Sequence, residues 1–212
     1  MEPKQSINFY LTDKKDVTNI GKLCAEAFID FPFMKPIISD RAKRKLFLKD
    51  LFKMNAKIFT RKQLCFIGEI DGEMVVVALV RKDISAIGLT DYLRAGSLKL
   101  LQYTSVRQLI NFLGVYNRSI RECKNINPSC WYLESLAVHP DYQSQHIGSQ
   151  ILNEHLVPYI KKNGGGDFTL ITNTKRNCIF YTKNGFSLFA DDLIVINQKF
   201  VENYSFIKKI SS

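Results

Sequence analysis

A polar turn that contains one glycine joins an apolar strand to a helix in the second half of the chain. It reads Leu-Ala-Val-His-Pro-Asp-Tyr-Gln-Ser-Gln-His-Ile-Gly-Ser-Gln-Ile-Leu over residues 136–152. A turn of this kind aims several backbone N–H groups at one point, and the helix dipole adds positive potential there. The turn is therefore a candidate anion site. Many strand-to-helix turns contain a glycine, so the turn alone does not identify a ligand.

Two motifs point to a more specific reading. Residues 143–148 read Gln-Ser-Gln-His-Ile-Gly, and residues 177–186 read Asn-Cys-Ile-Phe-Tyr-Thr-Lys-Asn-Gly-Phe. The first resembles the pyrophosphate loop Gln/Arg-x-x-Gly-x-Gly/Ala of the GNAT family, the CoA-dependent N-acetyltransferases, with His146 at the first glycine position. The second resembles the GNAT signature Asn-x-x-x-Phe/Tyr-Tyr-x-Lys-x-Gly-Phe. Both motifs follow the strand ending at Val138 in the family's order, so the chain resembles a GNAT protein.

The resemblance implies a GNAT fold of the mixed α/β (α+β) class. Helices flank a twisted mixed sheet, which is splayed between its fourth and fifth strands, and the pantetheine arm of acetyl-CoA lies in the gap. The strand end would hydrogen-bond pantetheine, the turn would receive the pyrophosphate, and the following helix would flank the cofactor. The implied cofactor-binding residues are Leu136, Ala137, Val138, Gln143, Ser144, Gln145, His146, Ile147, Gly148, Ser149, Asn177 and Phe180. Lys183, with Lys175 and Arg176, adds positive charge that could meet the CoA phosphates.

Two residues are candidates for proton transfer. The resemblance implies that the Tyr181 hydroxyl protonates the departing thiolate, whereas the alternative role is that of a half-buried aromatic. A substrate ammonium has no lone pair, so a general base must remove a proton, directly or through water, before nitrogen attacks the thioester. Glu134 is the candidate base because it lies in an apolar strand at even spacing from Leu136 and Val138. Glu134 could instead be a structural carboxylate that pairs with a neighbouring strand or caps a helix.

The first half of the chain supplies the elements that must surround this site. Alternating apolar residues predict a strand at 7–11, and helical spacing predicts a helix over 20–28, ended by Pro32 and Pro36. The apolar loop 28–36 follows, and Asp40 is a fair N-cap for a second helix in which Phe47, Leu51, Met54 and Ile58 share one face. The runs 64–70 and 74–80 predict a β-hairpin that turns at Asp71-Gly72.

The sequence pattern predicts one domain over residues 1–212, with a helical insertion at 84–127. In the insertion we expect helices near 91–101 and, after Ser105, over 106–113. Then come a strand at 130–138, a helix over 147–162 that Pro158 should bend, a strand at 168–172 and a helix at 177–183. Two closing strands are predicted at 186–189 and 204–210.

Composition excludes several classes of protein. The 212 residues are 46% hydrophobic and 24% charged, as expected of a folded domain rather than a disordered or fibrous chain. The amino terminus does not resemble a signal peptide and no apolar stretch is long enough to span a bilayer, so we expect a cytoplasmic protein without a membrane partner. Five widely spaced cysteines, none in a C-x-x-C pair, predict reduced thiols and no metal site. The formal charge of +10 favours an anionic partner.

The sequence thus predicts an acetyl-CoA-dependent N-acetyltransferase that transfers the acetyl group by direct attack of a small-molecule amine. The acceptor pocket should combine the loop 28–36, the second helix and the insertion with Tyr92, Tyr103 and Tyr116. Peptide or protein amines remain open as acceptors. Two alternative functions also remain open at this point: a GNAT-fold protein that binds CoA without catalysis, and a basic nucleic-acid-associated module, for which no base-stacking or groove-reading motif is present. We expect a monomer or a homodimer.

Overall fold

Seven strands form one mixed sheet in the computed structural model, which describes residues 7–12, 16–127 and 129–212. The strand order is β1-β2-β3-β4-β5-β7-β6, with β4 and β5 parallel and all other neighbours antiparallel. The strands are β1 (Asn8–Leu11), β2 (Leu64–Ile70), β3 (Glu73–Arg81), β4 (Trp131–Val138), β5 (Gly166–Thr172), β6 (Ser187–Ile196) and β7 (Lys199–Ile210). Residues 1–6, part of the stretch compared with a signal peptide, lie outside the described residues.

Helices cover both faces of the sheet. They are α1 (Val17–Phe28), α2 (Arg41–Lys62), α3 (Leu89–Ala95), α4 (Val106–Ser119), α5 (Arg121–Ile126), α6 (Ile147–Gln150), α7 (Val157–Lys162) and α8 (Lys175–Lys183). One apolar cluster packs α1, α2 and the insertion against one face, and a second packs the segment 147–162 and α8 against the other. Among the described residues, no helix has the length and apolar character to cross a bilayer.

The local signals in the first half of the chain are confirmed. Asp40 caps α2 by accepting a hydrogen bond from the Lys43 N–H at 2.6 Å. The β2–β3 hairpin turns at Asp71 and Gly72, whose φ angles of 51° and 81° match the left-handed conformation that a primed turn requires. Together, these elements build the half of the sheet that carries β4.

The insertion is helical but more divided than predicted. Gly96, with φ of 98°, ends α3, and a 3₁₀ helix (Ser97–Gln102) follows where one continuous helix to residue 101 was expected. Ser105 begins α4 through a capping box with Gln108. Because α4 continues to Ser119, α3 and α4 can together form one side of a cavity described below.

The predicted helix at 147–162 is interrupted by a wider helical segment. Residues Ile151–Leu156 form a π-helix between α6 and α7, and the Val157 N–H donates to the Leu152 carbonyl five residues back. Pro158 has no N–H to continue an α-helical ladder, so the wider turn accommodates the proline that was expected to bend the helix.

The sheet is splayed between β4 and β5. These strands pair only at Trp131 with Phe168 and at Tyr132 with Thr169, although β4 continues to Val138. Beyond Tyr132, the β5-facing backbone of β4 has no strand partner among the described residues. The predicted gap between the fourth and fifth strands is therefore present.

The closing strands are much longer than predicted. β6 and β7 form a hairpin that includes residues 190–203, for which the sequence pattern predicts no strand. Its turn lies at Asn197 and Gln198, both with positive φ, and the Asn197 side chain donates to the Pro36 carbonyl at 2.7 Å. The hairpin tip thereby contacts the loop between α1 and α2.

Candidate active site

A cavity of about 610 Å³ opens where β4 and β5 separate. It is lined by the end of β4, by the turn before α6 and by α8. All of the predicted cofactor-binding residues lie along it except Gln145, whose side chain instead donates to the Asp141 carbonyl at 3.0 Å. The structure therefore brings together residues that are distant in sequence.

The turn before α6 presents free backbone donors. Among the described residues, the N–H groups of residues 144–148 donate to no protein acceptor. Ser144 and His146 both adopt left-handed backbone conformations, with φ of 64° and 62°, so the turn is concave. This arrangement is suited to an anion such as a pyrophosphate. The left-handed conformation costs conformational free energy at His146, whereas a glycine in its place would adopt it without this penalty.

Gly148 allows α6 to pack closely beside the cavity. A Cβ atom at this position would lie 3.1 Å from Cζ of Phe180 and 3.7 Å from a methyl group of Val138. Both neighbours line the cavity, so the missing side chain keeps the turn, β4 and α8 in contact. The free amides and this glycine together leave room for a phosphate group beside the turn.

Replacing Gly148 by alanine should weaken acetyl-CoA binding about fivefold or more. The added methyl group must displace Phe180, and overpacking of this kind costs about 1 kcal/mol or more. Gly114→Ala is the matched control, because Gly114 also lies in a helix and its Cβ would meet no atom within 4 Å. Titration calorimetry of both variants checks the prediction, and equal affinities would contradict it.

Two cationic side chains stand at the rim of the cavity of about 610 Å³, to which we refer as the cofactor cavity. Arg176 and Lys183 both line it, and the Arg176 guanidinium lies 3.4 Å from the Ser144 hydroxyl in the turn. The adjacent Lys175 does not line the cavity; it is 80% exposed and pairs with Glu202 at 3.7 Å. The rim therefore offers positive charge on the side of the turn.

Arg176→Gln should weaken acetyl-CoA binding about tenfold and flatten its dependence on ionic strength. A charge-assisted hydrogen bond to a phosphate contributes about 1.5–3 kcal/mol and is screened by salt. Lys175→Gln, which removes the same charge one residue away, should leave affinity nearly unchanged. Calorimetry at low and high salt measures both effects. The same loss in both variants would point to net charge rather than to a contact by Arg176.

Tyr181 lies where this cavity meets a second one. It lines both cavities, as do Asn177 and Leu136. Its ring packs against Phe180 and Phe186, with centroids 5.1 and 5.7 Å away, and its hydroxyl has no hydrogen-bond partner among the described residues. Burial raises the pKa of Tyr181, so the hydroxyl stays protonated at neutral and mildly alkaline pH. The side chain can therefore hold a proton between the two cavities.

The second cavity has a volume of about 360 Å³ and lies among α1, α2 and the insertion. Phe28, Phe31 and Phe33 of the predicted loop line it, as do Tyr92 and Tyr116. Tyr103 does not: its hydroxyl donates to Asp50 at 2.8 Å outside the cavity. We refer to this space as the acceptor cavity.

Glu134 stands at the floor of the acceptor cavity within a buried polar network. Its carboxylate forms an ion pair with Arg81 at 2.6 Å and accepts a hydrogen bond from the Tyr116 hydroxyl at 2.8 Å. The Glu134 and Arg81 side chains are only 8% and 3% exposed. Burial opposes the charge on Arg81, but Glu134 raises the pKa of Arg81 above its usual value. Burial, followed by the nearby Glu134, raises the pKa of Tyr116.

A β-bulge sets the direction of Glu134. Leu79 pairs with Ser135 and Val80 with Leu133, so Glu134 is an extra residue in β4. The even spacing to Leu136 and Val138 does not, therefore, place the three side chains on one face. Leu136 and Val138 pack with the cluster around α6, whereas Glu134 meets Arg81 and Tyr116 on the opposite side.

Several residues of the site were not predicted. Arg81 had only its position at the end of a hairpin strand, and no local pattern signals a partner on the next strand. Asn55 also lines the acceptor cavity, where its buried side-chain oxygen lacks a hydrogen-bond partner among the described residues. The one indication of Asn55 in the sequence is that its side-chain amide interrupts the otherwise apolar face of α2.

Comparisons with known proteins agree with this architecture. Residues 104–188 match the family model described as an acetyltransferase (GNAT) domain. The chain is similar to the polyamine N-acetyltransferase of Drosophila melanogaster, with 14% identity, a TM-score of 0.60 and coverage of 96% of this chain and 100% of that one. It is also similar to the ribosomal-protein-S18-alanine N-acetyltransferase of Escherichia coli, with 16% identity, a TM-score of 0.58 and coverage of 98% and 96%.

A third similar structure is the histone acetyltransferase HPA2 and related acetyltransferase from Corynebacterium glutamicum, with 17% identity, a TM-score of 0.63 and coverage of 98% of both chains. No curated protein matches the sequence at a significant level. At these identities the likeness between structures establishes the fold. The predicted fold class is confirmed, and residues 104–188 match the model of the family that the sequence resembles.

Proposed function

We propose that this protein, which has the GNAT fold and a GNAT acetyltransferase domain match, transfers the acetyl group of acetyl-CoA directly to an amine of a small molecule. The observation that carries the proposal is the meeting of two cavities at Tyr181, one beside free backbone amides and the other above a carboxylate. Structural neighbours named as polyamine and agmatine N-acetyltransferases support a small-molecule acceptor.

In this proposal the cofactor cavity binds acetyl-CoA. The free amides of residues 144–148 hold the pyrophosphate, and the unpaired backbone of Leu136, Ala137 and Val138 binds the pantetheine arm. Asn177 and Phe180 flank the arm, while Lys183 and Arg176 meet phosphates. Bound acetyl-CoA supplies an activated thioester carbonyl. The excess of cationic side chains in the chain suits such an anionic cofactor.

The proposed catalytic roles of Tyr181 and Glu134 follow from where these side chains lie in the two cavities. Tyr181, kept protonated by burial, donates its proton to the departing sulfur. Glu134 accepts a proton from the acceptor ammonium, directly or through a water molecule. Because Arg81 and Tyr116 already bind its carboxylate, Glu134 works as part of that network rather than alone. No covalent enzyme intermediate is needed, and the buried thiols have no part in the reaction.

The proposal is tested by thiol release from acetyl-CoA in the presence of a panel of amines, combined with calorimetric titration of acetyl-CoA. We expect saturable binding and amine-dependent thiol release with an acetylated product. Binding without turnover on any amine would favour a non-catalytic CoA-binding protein. Absence of acetyl-CoA binding, with salt-sensitive binding of RNA or DNA, would favour the nucleic-acid alternative. We further propose a cytoplasmic monomer or homodimer without a membrane partner.

A further inference from the structure

We infer that the acceptor is a lipophilic monoamine, an amine with one cationic centre and an apolar body, and that the enzyme discriminates against diamines and polyamines. This inference rests on the proposed function and specifies its substrate class. Three observations support it: the apolar walls of the acceptor cavity, the aliphatic side chains at its opening, and the contacts that Arg81 and Tyr116 already make with the Glu134 carboxylate.

The walls of the acceptor cavity are almost entirely apolar. Aromatic rings from the loop after α1, aliphatic side chains of α2 and the inner sides of α3 and α4 surround the space. The lining includes Phe28, Phe31, Leu51, Met54, Leu109 and Phe112. Transfer of apolar surface into such a site is favourable by about 0.8 kcal/mol per methylene group. The cavity therefore favours ligands in proportion to their hydrocarbon content.

The rim of the cavity is apolar as well. Leu98, Val106 and Ile110 line the space, yet they are 67%, 59% and 65% exposed to solvent. Leu89 and Leu93, from the same insertion, are also exposed and also line it. Five exposed aliphatic side chains around one opening form a contiguous apolar patch rather than scattered surface residues. A ligand long enough to reach from Glu134 to the opening of the cavity would therefore contact these aliphatic side chains.

Glu134 supplies the charge among the described residues that line the acceptor cavity, and its carboxylate is already bound by other side chains. Among the described residues that line it, Glu134 is the only carboxylate, and there is no lysine or arginine. Arg81 at 2.6 Å and the Tyr116 hydroxyl already bind that carboxylate, so it can serve one ligand ammonium at most. A second ammonium group in the cavity would have no counter-ion, and burying an unpaired charge costs several kcal/mol.

The other polar side chains among the described residues that line the acceptor cavity are uncharged. Within the part of the chain that the structure describes, the buried oxygen of Asn55 lacks a partner, and the side-chain nitrogen of Asn173 donates to the Glu202 carbonyl and to Asn203. An amide oxygen can accept one N–H or O–H from a ligand but cannot replace a counter-ion. The acceptor can therefore carry a neutral polar group on its apolar body, but not a second charge.

The test compares matched amines by turnover and by binding. In a series of butylamine, hexylamine and octylamine, kcat/KM should rise about fourfold per added methylene, the equivalent of about 0.8 kcal/mol. Octylamine and 1,8-diaminooctane have the same length and differ by one ammonium group, and the diamine should be at least 100-fold poorer. Calorimetric titration of the same amines into protein saturated with CoA should give the same order of affinity.

A pair of variants tests whether the preference for apolar amines depends on the rim of the acceptor cavity. Ile110→Glu adds a charge at the rim and should raise the KM for octylamine at least tenfold, with the acetyl-CoA affinity unchanged. Leu193→Glu is the control, because Leu193 is 66% exposed, like Ile110, but lies on β6 away from the cavity lining. Neither side chain is buried, so both variants should fold.

The outcomes separate the two proposals. If diamines or polyamines are acetylated as well as octylamine, or if chain length has no effect, the substrate class is wrong while the acetyltransferase assignment stands. If no amine is acetylated but the calorimetric series shows the fourfold steps, the cavity specificity stands and catalysis is wrong. Flat and weak binding of every alkylamine overturns the inference in either case.

Discussion

Replacing Tyr181 by phenylalanine should lower kcat about 100-fold or more while the dissociation constant for acetyl-CoA stays within about twofold. General acid catalysis typically contributes a factor of 10²–10⁴, and this hydroxyl is the proton donor in the proposed reaction. The ring itself, which packs on Phe180 and Phe186, is retained. The hydroxyl has no hydrogen-bond partner to lose in the described part of the chain, so stability should change little.

Steady-state kinetics and calorimetry on the same preparation measure this separation of turnover from binding. Tyr159→Phe is the control, because that ring packs on Phe66 and Trp131 and lines neither cavity. Unchanged turnover in Tyr181→Phe would remove the tyrosine from the mechanism and leave it as a packing residue at the junction.

Glu134→Gln should destabilise the protein by about 3 kcal/mol or more, and should also abolish most turnover. The substitution leaves the Arg81 guanidinium buried without its counter-ion, and breaking one side of a buried pair typically costs about 3–5 kcal/mol. For a chain of this size, a loss of 3 kcal/mol corresponds to a fall in Tm of about 6–12 °C. Thermal unfolding measures the first effect and thiol release the second.

A double variant separates the structural role of Glu134 from the catalytic one. Arg81→Met with Glu134→Leu removes both charges together, and apolar replacement of a complete buried pair is often close to neutral. We expect it to be more stable than Glu134→Gln and still inactive. If the folded double variant keeps the wild-type rate and the wild-type alkaline pH profile, proton removal occurs elsewhere and the carboxylate only stabilises the fold.

Local chemistry explains why much of the site could be predicted from the sequence. A cap, a tight turn or a short signature depends on a few neighbouring residues, as at Asp40, at Asp71-Gly72 and over residues 177–186. The parallel pairing of β4 and β5 follows from the strand-helix-strand order. The resemblance then supplied the positions of the turn and of Tyr181 beside the same gap.

Long-range packing explains what could not be predicted. The extra residue in β4 reverses the alternation after Leu133, and strict alternation is what the spacing argument for Glu134 assumed. Arg81 finds its partner only when β3 and β4 are side by side. In both cases the determining contact joins residues about fifty positions apart, beyond the reach of periodicity.

The β6–β7 hairpin was missed for a different reason. Asp191 and Asp192 interrupt the apolar pattern on an exposed edge strand, and the turn Asn197-Gln198 lacks the glycine that marks a typical primed turn. Asparagine tolerates the left-handed conformation, and its side chain is held by the Pro36 carbonyl. Tertiary contacts thus stabilise a turn with a weak local signal.

An amide-resolved NMR titration of the protein with acetyl-CoA shows whether the cofactor binds at the turn before α6 and in the gap beside β4. We expect the largest shifts on the backbone amides of residues 144–148 and along the unpaired edge of β4 near Val138, with saturation at one equivalent. Shifts confined to other surfaces, or none at all at millimolar acetyl-CoA, would contradict it.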